Sequence, residues 1–467
     1  MKKLLITLSI LLVSAAGLSA QNFRTGYFLD GYMYKYQLNP AFQGERGFIA
    51  LPGVGGISTG VESNILGSSI FLHSDAGTVS FMDSPISTTD FMTRINQMSL
   101  VNESIDVNLL AIGFRAKNTY HTIDFSIKEN VSTNIPSDVF RFMKDPSAQT
   151  YSYNMSSWTA SMDSYLQAAY GLSFKIKDVA SIGFRAKFLL GIQSAYANMS
   201  DLRVESTNEK ATVNANGTII ESELINDLMV GEEINTDQIL QSALDNPSYG
   251  AALDFGFSVD FLKHFTFSGS VLDLGFISWK NPVKYNYGPA SWELNYSDYT
   301  DPGMDPETAE NQLNAKLDEL VAIFDLENPQ HLDKYVQKFG FTTLLGLEFR
   351  IPFYNRLSIA ALGTHRFQGA HSWTEGRFSL NYAPFRWLSL SGSYAVSTFG
   401  ESYGAALNFH PKGLNIFAGV DSFKPILNMT PDNYPQNELN TNVKVGITFP
   451  FGKYNGRYPK KEKVGNE

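Results

Sequence analysis

Polar and apolar residues alternate one by one through long stretches of this chain, the period of a β-strand with two unlike faces. Leu166, Ala168, Tyr170, Leu172, Phe174 and Ile176 fall on one side, and Gln167, Ala169, Gly171, Ser173 and Lys175 on the other. After a turn at 177–180 the unit repeats, with Ile182, Phe184, Ala186, Phe188 and Leu190 opposing Gly183, Arg185, Lys187 and Gly191. Similar strands follow at 249–261, from 265, at 341–351, 357–361, 377–382, 387–396, 403–409, 414–420 and 443–449. Near Val271 and Leu272 the phase slips, which predicts a bulge or one overlong strand.

Soluble sandwich strands run to roughly 5 or 6 residues, whereas several of these reach about 10, the length a tilted strand needs to cross a bilayer. Aromatic residues gather near the strand ends, among them Tyr165, Tyr249, Phe261, Trp387 and Phe449, as suits a lipid interface. Connections alternate too. Short turns fall near 117–119, 177–180, 262–264, 352–355, 384–386 and 410–413, and between them lie 130–163, 198–247, 297–339 and 422–440, with shorter connections near 370–373 and 397–401. The pattern predicts an all-β fold, a transmembrane antiparallel up-and-down β-barrel with both termini on the short-turn side. The strand count is 14, or 16 if residues 47–62 add a hairpin.

Composition narrows the picture. Residues 1–20 read as a signal peptide, with Lys2 and Lys3 before a short apolar run and small residues at Gly17, Ser19 and Ala20. A net charge of −10 argues against a nucleic-acid partner, and the absence of cysteine excludes disulfides, thiolate metal sites and a lipid-modified cysteine. The barrel is assigned to 47–451 and a basic periplasmic tail to 452–467.

The inward faces are small and polar, as in Gly250, Ala252, Asp254, Gly256 and Ser258, and leave room in the lumen. Arg185, Lys187, Asp254, Asp260, Glu348 and Arg350, with Arg366 and Arg377, are the expected lumen charges, either paired along the wall or selecting a solute. In the outer loops, Asp305 and Pro306 open a helix whose apolar stripe is Leu313, Leu317, Leu320, Val321 and Phe324. A second helix is expected from Asn328 to Phe339, and short helices over 198–247 carrying Leu224, Leu228, Ile239, Leu240 and Leu244. These stripes either pack together over the mouth or receive a greasy ligand.

Ahead of the barrel, residues 21–46 contain Asn39-Pro40-Ala41, followed by a Gly-rich stretch. This resembles the N-terminal portion of the long-chain fatty-acid-transporter-like superfamily of outer-membrane barrels, in which an Asn-Pro-Ala segment sits inside as a plug. The whole chain resembles an uncharacterised member of that superfamily, close to the barrels associated with type IX secretion. The resemblance implies a plug-like role for 21–46 and passage of hydrophobic small molecules, or else a partner role on the cell surface.

No residues qualify as catalytic or as metal ligands, and no cofactor is expected. Gly56-Ile57-Ser58-Thr59-Gly60 has the spacing of a hydrolase nucleophile turn but lacks the helix that must follow it. His365 and His371 read as exposed polar residues, and Asp298, Asp301 and Asp305 lack calcium-loop spacing. The expected function is a channel for hydrophobic small molecules in the outer membrane of a Gram-negative bacterium. The alternative is a non-transporting surface barrel that binds or presents another protein. Outer-membrane lipid and lipopolysaccharide are the expected surroundings in either case.

Overall fold

The computed structural model describes residues 23–65, 67–74, 77–82, 87–145, 150–177, 179–222, 244–299, 305–323, 329–423 and 440–456. The signal-peptide assignment and most of the basic tail lie outside the described residues. The strands are β1 (Gly47–Ala50), β2 (Gly56–Ser63), β3 (Met98–Ala116), β4 (Thr119–Pro136), β5 (Trp158–Ile176), β6 (Ala180–Ser206) and β7 (Lys210–Glu221). They continue as β8 (Ser248–Phe261), β9 (Phe265–Lys280), β10 (Val283–Asn295), β11 (Lys334–Lys338), β12 (Phe341–Arg350) and β13 (Leu357–Phe367). The last are β14 (Trp373–Phe385), β15 (Leu388–Ser397), β16 (Gly400–Phe409), β17 (Asn415–Phe423) and β18 (Thr441–Phe451).

Antiparallel pairing runs from β3 through β4, β5, β6, β8, β9 and β12 to β18 without a break. β1 and β2 then lie between β18 and β3 and close the ring, with Gly47 opposite Phe451 and Thr59 opposite Ile105. The result is a closed barrel of 14 strands. Residues 47–62 add no hairpin. They form one wall strand interrupted at Leu51–Gly55, where Gly55 N donates to Leu51 O at 2.8 Å and Gly53 has a positive φ of 77°, so the chain leaves the wall and rejoins it in the same direction.

Parity along each strand sorts the side chains as the alternation predicts. Outward residues such as Phe378, Leu380, Leu345 and Ile359 are each more than half exposed, while their neighbours Arg377, Ser379, Leu344 and Ala360 are buried. A continuous apolar outer surface of this kind is costly in water and costs nothing in hydrocarbon. The bulge expected near Val271 is present: Leu253 faces Leu274 but Phe255 faces Val271, and Asp273 takes a φ of 65°. As a result both Leu272 and Asp273 point inward.

At the long-loop end the sheet outgrows the barrel. β6 runs for 27 residues, and its far half pairs with β7, which pairs along its full length with β10. A second apolar core forms there around Phe91, Tyr153, Met199, Ile219 and Tyr285. Residues 198–206 and 210–221 are therefore strands, within a segment expected to be an outer loop. Val213, Thr218, Ile219 and Ile220 favour the pleat, and the edge of β6 offers unpaired backbone groups for β7 to use. Leu224, Leu228, Ile239 and Leu240 lie outside the described residues, and Leu244 begins a short helical turn.

The helix Pro306–Ile323 forms as expected, and Asp305 caps it by accepting from Thr308 N at 3.1 Å. Leu313 and Leu320 pack on Val213, Trp292 and Leu294, and Trp292 Nε1 donates to Lys316 O at 2.8 Å. Leu317 is 40% exposed and Phe324 lies outside the described residues. The second helix does not form. Residues 334–338 are β11, paired with the outer end of β9, because Tyr335 and Val336 meet the free edge beside Trp279 and Ser278.

Candidate functional site

The inward faces leave room, and the chain fills the short-turn half of that room with its own N-terminal segment. Tyr27, Leu29, Tyr34 and Leu38 are buried against wall residues that include Phe48, Phe417, Leu344 and Leu362. Asn39 is fully buried and sits at the centre of the attachment. Its Nδ2 lies 3.0 Å from Phe257 O, 3.1 Å from Gly269 O and 3.1 Å from the Tyr27 hydroxyl, while Oδ1 accepts from Ala41 N at 2.9 Å. Asparagine closes such a turn on its own backbone, and Pro40 holds the next φ. Ala41 O accepts from Ser173 Oγ at 3.1 Å. A side chain at Gly183 would collide with the Pro40 carbonyl, and one at Gly256 with the Asn39 carboxamide, so these two wall glycines admit the segment.

The segment's first described residues are held by charge. The Arg24 guanidinium is paired with Glu62 and lies 3.1 Å from Glu375, and its backbone N–H donates to Asp421 at 2.5 Å. Arg377 Nε lies 2.9 Å from Glu375 and Nη1 3.4 Å from Asp421. Of this buried group only Arg377 stands among the expected lumen charges. Glu62, Glu375 and Asp421 carried a usable signal, since each occupies an inward-parity position. The position of Arg24 inside the barrel has no counterpart in any periodic pattern.

Beyond the segment, towards the long loops, lies a cavity of about 440 Å³. Arg185 bridges Asp124 at 2.5 Å and Asp254 at 3.3 Å, and Lys187 bridges Asp254 at 2.6 Å and Asp273 at 2.5 Å. The bulge at Asp273 is what brings that third carboxylate inward. Lys128 pairs with Asp106 at 2.7 Å. Glu348 and Arg350 pair with each other at 2.9 Å nearer the short-turn rim, where Arg350 also reaches Asp30 of the segment at 3.6 Å. Asp260 is exposed at that rim, accepting from Thr266, and takes no part in the cavity.

The turn Gly369–His371 between β13 and β14 crosses to the opposite wall. There His371 Nε2 lies 2.9 Å from Thr159 Oγ1 on β5, and His371 is only 5% exposed. Burial holds its imidazole pKa down at about 4, with Arg366 acting in the same direction against the hydrogen bond to Thr159. His371 is thus buried where an exposed residue was expected. His365 is separate, bonded to Thr374 Oγ1 at 2.6 Å. Tyr165 likewise faces inward, stacked 5.3 Å from Phe339, and is no interface residue.

Ser58 lies within β2, paired with Asp106 and Lys444, in an extended strand and not the sharp turn of a nucleophile. Asp298 accepts from Ser297, Asp305 serves as a helix cap, and Asp301 lies outside the described residues. Among the described residues no group of three or more His, Asp or Glu is placed to hold a metal ion.

A family model described as a family of unknown function (DUF5723) matches residues 40–421. No curated protein matches the chain in sequence. Among solved structures, the Ralstonia pickettii toluene transporter TbuX is similar at 7% identity and a TM-score of 0.44, over 90% of this chain and 95% of that one. The P. putida toluene transporter TodX is similar at 8% identity and 0.41, over 94% and 97%. A Pseudomonas aeruginosa FadL homologue is similar at 10% identity and 0.41, over 93% and 100%.

Proposed function

The chain belongs to a family of unknown function, DUF5723, and from that premise we propose that it is a plugged channel for hydrophobic small molecules in the outer membrane of a Gram-negative cell. Residues 21–46 are its plug, and lipid and lipopolysaccharide its surroundings. The observation that carries this reading is the interruption of the wall at Leu51–Gly55. β1 leaves β3 after Ala50 opposite Ala111, and β2 rejoins it at Gly56 opposite Asn108. Leu51 and Val54 are more than 40% exposed, although Tyr34 and Phe417 fill the lumen beside them, so the exposure is to the outside of the wall. The Tyr34 hydroxyl donates to Gly55 O at 2.6 Å, which ties the plug to the interruption. In this reading the flank, which leaves β3 while Val54 O still accepts from Ile447 N of β18 at 2.8 Å, is the exit for a solute blocked from the short-turn end, and hydrocarbon beyond it receives only apolar molecules at low cost.

The test replaces residues 51–55 by a straight two-residue strand and follows entry of a labelled aromatic hydrocarbon into cells carrying the barrel. Entry should fall to the background of cells lacking the protein. Unchanged entry would sink the reading.

A second reading, a surface barrel that holds another protein, is favoured by one observation. β6, β7 and β10 build a folded sheet with its own apolar core beyond the barrel, more than closure of a pore requires. Photocrosslinking from β10 on intact cells should then trap a single protein, and recovery of lipopolysaccharide alone would count against it.

A further inference from the structure

The cavity above the plug is a poor place for an apolar molecule, and its charges are unevenly neutralised. Among the cations lining it, Lys338 is open to solvent, and Arg24, Lys128, Arg185 and Lys187 are each salt-bridged to carboxylates. Arg366 and Lys444 are not: among the described residues neither has a carboxylate within ion-pairing distance. Arg366 Nε donates to Gln368 Oε1 at 2.6 Å and Nη1 to Thr342 Oγ1 at 3.2 Å, which leaves most of its five N–H donors free of those bonds. Lys444, only 6% exposed, donates to Gln37 Oε1 of the plug at 3.1 Å and lies 5.2 Å over the Tyr34 ring. One acid is in the same position. Asp163, also 6% exposed, accepts from Asn130 Nδ2 at 2.8 Å and has no cation in ion-pairing distance among the described residues.

Charged groups withdrawn from bulk water and bonded only to neutral partners are costly to keep unless an opposite charge or water reaches them. They are also already positioned, so a ligand that supplies the missing charges gains charge-assisted bonds with little reorganisation. Two cations and one carboxylate facing a common cavity complement a solute with one ammonium and one or two carboxylates. The volume, about 440 Å³, admits a solute the size of an amino acid or dipeptide. The plug closes it below and the Gly369–His371 turn crosses above.

We propose that this cavity is a binding site for a small hydrophilic zwitterion, a free amino acid or short peptide. Its carboxylates are held by Arg366 and Lys444 and its ammonium by Asp163. This goes beyond the channel reading and does not depend on whether apolar molecules leave through the wall.

The test is isothermal titration of the full-length barrel in detergent micelles with L-glutamate and with the dipeptide Ala-Glu. Glutarate, which lacks the ammonium, and decanoate, which lacks both the ammonium and the polar body, are the comparisons. Saturable binding of at least one zwitterion, weakened by added salt, is expected. Arg366→Gln should weaken it at least tenfold, and Asp163→Asn should weaken the zwitterions while leaving glutarate unchanged. Should Arg366→Gln lose the heat-modifiable gel mobility of a folded barrel, Lys444→Gln and Asp163→Asn carry the same comparison. Absence of saturable binding by both zwitterions would overturn the proposal, as would decanoate binding more tightly with the same dependence on Arg366. The failure would be distinct from that of the channel reading, because no passage is measured.

Discussion

Two charge clusters in the lumen are built from the same kinds of residue and use them in opposite ways. Where β2, β14 and β17 face the first residues of the N-terminal segment, Arg24 and Arg377 meet Glu62, Glu375 and Asp421, and aromatic side chains of the segment pack nearby. Around the rest of the cavity, Lys128, Arg185 and Lys187 are pinned to the wall by carboxylates, whereas Arg366 and Lys444 hydrogen-bond only to neutral partners. The first arrangement resembles a folded core; the second resembles a site waiting for a solute. A lumen charge therefore acquires meaning from whether its partner belongs to the protein. Breaking a contact of the Arg24 cluster should cost stability, and removing the charge of Arg366 or Lys444 should cost little.

The largest effect belongs to the plug anchor. Arg24→Ala leaves Glu62 without its guanidinium and Glu375 with Arg377 alone, and stranding buried charges in this way costs about 3–5 kcal/mol. Hydrogen exchange over residues 23–42 should accelerate strongly while β12–β16 stay protected. Equal protection of the plug in both proteins would show that its aromatic packing suffices and that the ion cluster is incidental.

The roof of the cavity should respond to pH. His371 is held neutral when the turn is docked, with a pKa of about 4 caused by burial, against about 6.5 for a free imidazole. Above pH 6.5 both forms are neutral and nothing is lost. As pH falls from 6.5 towards 4 the undocked turn takes up a proton that the docked turn refuses, so docking weakens by an amount on the order of 3 kcal/mol by pH 4. Hydrogen exchange of residues 368–372 should therefore rise on acidification across that window, and His371→Gln should abolish the dependence. A turn equally protected at pH 7 and pH 4.5 would contradict this.

The fold was legible because the alternation and the short and long connections both report on a closed wall. The bulge at Leu272 and Asp273 showed as a slip in phase. The interior was less so. Asn39, Pro40 and Ala41 stood out only through a resemblance, since a segment without periodic structure leaves no pattern even when each of its side chains is fixed. The strands β7 and β11 were misread because their formation depends on free edges of β6 and β9, which are remote in sequence. His371 was misread for a similar reason: its partner Thr159 lies 212 residues away.

The smallest effect sharpens the comparison most. Arg377 and Arg366 are both inward guanidiniums, on neighbouring strands of one wall, but Arg377 is bound to Glu375 and Asp421 whereas Arg366 is bound to Gln368 and Thr342. Arg366→Gln removes a charge that has no carboxylate within ion-pairing distance among the described residues and retains a side chain able to hydrogen-bond. Its effect on stability should stay within about 0.5 kcal/mol, the range of substitutions away from structural contacts. Arg377→Gln leaves two buried carboxylates short of a partner and should cost several times more. Urea unfolding of both variants in the same micelles, read by gel mobility, separates the two. If Arg366→Gln proves as damaging as Arg377→Gln, then the surroundings of Arg366 are as tightly built as the Arg24 cluster, and the cavity is a gap in packing rather than a place for a solute.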